Sequence, residues 1–348
     1  MRPRYWLLAL GFAGLLIAAD VVYWQLATTQ LRHGFIAWET EQRAKGWDIG
    51  TGPVSQGGWP LAARILVQNV TLRHAAGTMP GSVQVAAPAI TLSVSLTHPD
   101  RPKIEVGSPV HVRVAQMPDL IVTGEAMSAS ARLSGGAALP FSFEGQRLRL
   151  ESADGAWHAT AAELRISGNY NTPVVGVAHA EPAVEFRLDA SAMSLPSVMK
   201  WPLGSNVSAL TLQGALNGPI PATAEITPWA KAWRNNGGSL QISDFHTTWG
   251  PLTVSASATL ALDDQLQPMG TGNAHIVGYA ETLDRLASGG IMTHSAATAA
   301  KAVLSLIAGR GGDDPGAIDV PLTLQYRTLS MRQIPLLRFP ELDWPPER

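Results

Sequence analysis

The 348-residue chain carries 25 basic and 27 acidic side chains for a net charge of −2; only 15% of its residues are charged and 46% are hydrophobic. An average soluble domain is about 25% charged, and with no basic face to follow a phosphate backbone, nucleic acid is not an expected partner. There is no cysteine, which removes disulfides, thiolate metal ligands and a cysteine nucleophile.

From Tyr5 to Leu26 the chain is an apolar run whose one charge is Asp20, long enough to cross a hydrocarbon core of about 30 Å. Trp6 and Trp24 would sit about 27 Å apart along a helix, with Tyr5 and Tyr23 beside them, as in the aromatic belts of the two membrane interfaces. These four residues are the expected contacts of a membrane anchor over residues 1–27. A cleaved secretory signal competes, because Trp6 to Ala19 has the length of an h-region. Against it, apolar residues continue past Asp20, and the bulky Ile17 occupies the third position before a cut after Ala19. Arg2 and Arg4 put the N-terminus in the cytoplasm and the body outside. The expectation is a single-pass inner-membrane protein with a periplasmic body.

Residues 28–46 place Leu31, Phe35 and Trp38 at helical spacing, pair Glu39 with Arg43 four residues on, and end at Gly46, which predicts a connecting helix. From Trp47 the period becomes two. Aliphatic residues at Ile90, Leu92, Val94 and Leu96 alternate with Thr and Ser. The same pattern recurs at Val184–Leu188, at Leu252, Val254, Ala256, Ala258, Leu260 and Leu262, at Ile318–Tyr326, and at Met127–Leu133. Less regular strands are predicted near 61–73, 110–114, 141–150, 157–167, 207–216, 239–246 and 273–279. One apolar and one polar face per strand marks antiparallel sheet open to water on one side. Short helices are predicted near 227–234 and within 281–308, and Asp263-Asp264 reads as a turn.

The fold class is therefore mostly β: an N-terminal transmembrane helix, then a large antiparallel sheet, curled or sandwich-like, with two or three short helices. The body spans 47–348, with a second reading of two halves dividing near 195–235.

No nucleophile elbow, phosphate loop, H-E-x-x-H or dinucleotide fingerprint is present. The nine histidines never fall at ligand spacing, so no metal and no cofactor is expected. Gly309–Gly316 lacks the alternating oxygen ligands of a calcium loop and reads as a connection from helix to strand. Trp157, Trp201, Trp229, Trp233 and Trp249 could line a sugar or lipid surface, although sheet-end and loop anchors are the commoner use of such residues.

The anchor, the Trp38 helix, Gly46 and then Gly57-Gly58-Trp59-Pro60 leading into a strand resemble the start of a bacterial envelope family, domain of unknown function 2125. The ending, a strand followed by the Pro-rich stretch Leu329 to Pro340, is similar to that family's, except that Met331-Arg332-Gln333 stands where a Gly-containing approach is usual. Gly238 to Ser243, then Leu252 to Leu262, Asp263-Asp264 and a helix, resemble modules of AsmA-like proteins. That resemblance implies an N-anchored, β-rich periplasmic protein linked to lipid transport or outer-membrane homeostasis, and it supplies no catalytic residue.

The function expected is non-enzymatic lipid binding in the envelope. Ile90, Leu92, Val94, Leu96, Leu252, Val254, Leu260, Leu322 and Leu324 are the lipid-facing candidates, and the partners are the bilayer and a lipid ligand. The alternative is a structural or assembly factor acting on an envelope protein partner through a closed sandwich core. A hydrolase with a site assembled from distant strands is a third reading.

Overall fold

The computed structural model describes residues 4–74, 83–95, 97–114, 118–132, 138–171, 182–220, 226–308, 317–331 and 334–344, without the side chains of 4–13, 16, 306–308 and 334–337. These residues form seventeen strands and four helices, and the strand pairings described below are antiparallel. The chain divides into two compact units, one of residues 1–76 and 81–135, the other mainly of 136–348. The boundary between them lies near residue 135.

The first unit opens with helix α1, Arg4–Ala44, in which the expected anchor and connecting helix are one uninterrupted element. Strands β1 (Trp47–Gly50) and β2 (Val54–Gly57) follow, then β3 (Ala62–His74), β4 (Val83–Ser95), β5 (His98–Val106), β6 (Val110–Val114) and β7 (Leu120–Ala131). β1 and β2 pair in one register along the same edge of β3 and act as a single interrupted strand. β4 lies on the other side of β3, and its far edge is shared by β5 and β6. β7 pairs with both.

The β2–β3 hairpin runs back along the helix that precedes it. Near the C-terminal end of α1, Arg43 is paired with Glu39 at 2.6 Å and donates to the Ile49 carbonyl at 2.7 Å. Toward the other end, the Trp24 indole N–H is shared between the carbonyls of Ala62 at 3.1 Å and Gly57 at 3.3 Å. Nineteen helical residues separate Trp24 from Arg43, about 28 Å, and eight extended residues separate Ile49 from Gly57, about 26 Å. The two lengths match, so helix and hairpin run antiparallel and side by side. The helix stripe that faces the sheet is Trp24, Thr28, Leu31 and Phe35, half-buried or buried, while Trp38 stacks on Phe35 at the exposed flank with ring centres 5.9 Å apart.

The second unit is a meander in chain order: β8 (Ala138–Ser152), β9 (His158–Asn171), β10 (Val184–Ser194), β11 (Asn206–Asn217), β12 (Ser239–Trp249), β13 (Leu252–Leu262), β14 (Pro268–Val277), β15 (Ala317–Gln325), β16 (Thr328–Met331) and β17 (Ile334–Arg338). Each strand pairs with the next. Helix α2 (Ile226–Asn235) is inserted before β12, and α3 (Tyr279–Ser288) with α4 (His294–Ala308) before β15. The longer helix expected within 281–308 is α4, and the shorter α3 precedes it, with Gly290 at φ 75 in the break between the two. At the predicted turn, Asp263 Oδ1 accepts from the backbone N–H of Gln265 and Gln267, both at 2.8 Å, the bonding of an Asx turn.

Candidate functional site

In each unit, alternation places the apolar side chains of successive strands in rows on one face. In the first unit Ile65 of β3 stands opposite Leu92 of β4, which stands opposite Ile104 of β5, and Val67, Ile90 and Val106 make the adjacent row. Burial along the first row falls steeply: Ile65 is 0% exposed where α1 packs on β3, Leu92 is half-buried, and Ile104 is 38% exposed. Ala63 and Val94 repeat the step at the hairpin end of the sheet. Among the described residues the helix therefore roofs β3, while the apolar row continues as a shelf onto β4, half-buried, and onto β5, exposed at Ile104. The opposite face is polar and carries the Lys103–Glu105 ion pair at 2.9 Å.

The second unit repeats this pattern on a longer sheet. One row runs Phe143, Ile166, Leu188, Leu212, Phe245 and Ala256 across six strands; the next runs Phe141, Gly168, Phe186, Gly214, Ile242 and Ala258. The glycines of the second row make room for its rings: a Cβ on Gly168 would lie 2.7 Å from Phe141 Cζ, and one on Gly214 3.1 Å from Phe186 Cζ. The closed core lies under α4, where Ala274, Ile318, Val320 and Met331 are buried and Leu304, Tyr279 and Ile276 pack on them. From β8 to β12 the large apolar residues of both rows are only half-buried. On the polar side, the Arg187 guanidinium bonded to Asp189 holds that carboxyl below the usual carboxylate range, with help from Thr211.

Among the lipid-facing candidates, Ile90, Leu92 and Val94 share the shelf of the first unit and Leu96 lies outside the described residues. Leu252, Val254, Leu260, Leu322 and Leu324 are half-buried on the second sheet. Val254 and Leu322 pack against the closed core, so they are partly structural. Leu260 and Leu324 flank Gly270 in one row away from that core. Of the anchor candidates, the side chains of Tyr5 and Trp6 lie outside the described residues, and Tyr23 is exposed. Trp24 is not a simple belt residue, since its N–H is taken up by the hairpin. Among the described residues no helix is long and apolar enough to cross a membrane.

Ile104, Phe141, Phe143 and Phe186 also lie on these faces. Phe186 stood in a clean alternation and was within reach of the sequence; Ile104 follows Pro99 and Pro102, which mask β5.

Three of the tryptophans tie down a loop or a helix. Trp201 donates to the Pro196 carbonyl at 2.7 Å, Trp249 to that of Gly204 at 2.7 Å and Trp233 to that of Asn217 at 2.9 Å. Among the described residues no cluster of three or more His, Asp and Glu could hold a metal ion. Gly309–Gly316 lies outside the described residues.

The fold and its half-roofed faces define a β-meander protein with helices laid on part of each apolar surface. Over residues 24–340 the chain matches the model of a family described as an uncharacterized protein conserved in bacteria (DUF2125), and it belongs to that family. No curated protein and no solved structure matches it. No comparison shows the AsmA-like relationship.

Proposed function

We propose that the chain is a membrane-anchored envelope protein, not an enzyme, whose incompletely roofed sheet faces hold the acyl chains of lipid. The observation that carries this reading is the fall in burial from Ile65 through Leu92 to Ile104 on one continuous apolar face. Apolar area left in water costs about 25 cal/mol per Å², and monomeric proteins seldom keep a large contiguous patch of it without a use. An acyl chain laid on the shelf would gain about 0.8 kcal/mol for each CH₂ removed from water. Anchorage rests on the apolar run Tyr5 to Leu26 within α1, and the periplasmic side on Arg2 and Arg4 ahead of it. The Val94 end of the shelf lies beside the β2–β3 hairpin, the end of the unit nearest the anchor, so a lipid leaving the bilayer would meet the shelf end-on.

The test uses the full chain in its own membrane, with a benzophenone amino acid placed at Leu92 or Leu188 and, as solvent-face controls, at Ser93 or Arg187. Illumination should give lipid adducts at the first pair and none at the second. Equal labelling of both faces, or protein adducts alone at Leu92, would reject lipid binding, and the second outcome would favour an assembly factor.

A further inference from the structure

We infer that the tip of the β2–β3 hairpin, Gly58-Trp59-Pro60-Leu61, is a second membrane contact that sinks into the outer leaflet interface beside the anchor. This rests on the anchored reading of α1 and adds to it a site on the β body itself.

The antiparallel course of helix and hairpin fixes the level of the tip. Gly57 and Ala62, the residues flanking it, both accept from the Trp24 indole, and Trp24 marks the outer end of the apolar run. The strand direction carries the four tip residues beyond that level, toward the N-terminal end of the helix. A tip made only for water would be polar. This one leaves Leu61 79% and Trp59 50% exposed, and it carries no charge. On the neighbouring helix Val22, Tyr23 and Leu26 are also exposed, so helix and tip present apolar side chains at one height. Tryptophan favours that depth, with its ring among acyl chains and its N–H toward headgroups. The first charge above the tip is the exposed Arg64, opposite Gly57 in the ladder, where a guanidinium meets lipid phosphate. The tip's own backbone is partly satisfied internally, since the Ala62 N–H bonds to the Gly58 carbonyl at 3.0 Å. Two attachments, one through the helix and one through the tip, hold the hairpin upright and the Val94 end of the shelf at the membrane surface.

Because the chain has no cysteine, a single introduced thiol can be labelled cleanly. The full chain is reconstituted in phosphatidylethanolamine–phosphatidylglycerol vesicles with an environment-sensitive fluorophore on Leu61→Cys, on Leu15→Cys within the proposed span, or on Ala44→Cys at the far end of the helix. All three positions are exposed, so the substitutions leave packing intact. The labels at 61 and 15 should shift to the blue and be quenched by nitroxide-bearing lipid, that at 61 most strongly by shallow nitroxides, while the label at 44 stays as in water. A quenched 15 with an unquenched 61 overturns the tip contact and leaves the anchor standing. If neither 15 nor 61 is quenched, the anchored reading fails and the tip contact with it. Equal quenching at 44 and 61 means that the hairpin lies flat, and overturns the upright seating.

Discussion

Ile65 and Leu92 face each other across the β3–β4 ladder with the same aliphatic chemistry, yet the first is fully buried and the second only half-buried. Alternation shows which residues share a face and says nothing about which part of that face a helix will roof. The pair therefore separates a structural role from a binding one. Truncating Ile65→Ala should cost about 2–5 kcal/mol, because the cavity beneath α1 cannot collapse fully. Leu92→Ala, already half in water, should cost well under about 2 kcal/mol while reducing the lipid that co-purifies with the full chain. Chemical denaturation and lipid mass spectrometry of the two variants decide the matter; a Leu92→Ala variant as unstable as Ile65→Ala would make the shelf ordinary core. Single residues also explain where periodicity lost its phase. Asn69, Arg147 and Ala192 take left-handed backbone, with φ of 49, 46 and 45, and at each the ladder pairing is interrupted. The buried side of β3 accordingly passes from Val67 to Val70.

At the scale of elements, the contact that organises the first unit is one indole N–H shared by two carbonyls. Trp24→Phe keeps a ring of similar shape and leaves Gly57 O and Ala62 O to find water. The loss should be about 1 kcal/mol and local. Hydrogen exchange of residues 57–64 should quicken, while that of β9 to β13 is unchanged; unaltered exchange at the hairpin would show that packing of Thr28 and Leu31 alone holds the helix there. The strands with clean alternation, β4, β7, β10, β13 and β15, were readable from sequence, as were most of the less regular ones. β5 was not, because its prolines remove ladder donors and interrupt the pattern. β12 was only half legible: a register shift lies between Ile242 and Phe245, so that both can face the same side although their spacing is odd. β1 and β2 were missed because each is four residues long and owes its conformation to β3.

At the scale of the whole molecule, the division into units near residue 135 was invisible in the composition. The stretch 195–235 is rich in turn residues and holds a helix, and so resembles a linker. Yet β10, β11 and β12 pair successively across it, and ladder hydrogen bonds join the segments on either side of that stretch. The candidate site was legible as a set of faces and not as a surface, since exposure depends on where α1 and α4 come to rest. A chain with such faces in both units should be measurably stabilised by what covers them. Ligand that binds only the folded state contributes about 2.7 kcal/mol at a concentration one hundred times its Kd, enough to raise the midpoint of a unit this size by a few degrees. The delipidated full chain, in a detergent that spares the sheets, should therefore melt at a higher temperature as a long-chain phospholipid is added, and a short-chain analogue with the same headgroup should do less. A midpoint that ignores chain length would mean that the half-buried rows of Leu92 and Leu188 are not where lipid binds, and would return those faces to the role of a loosely covered core.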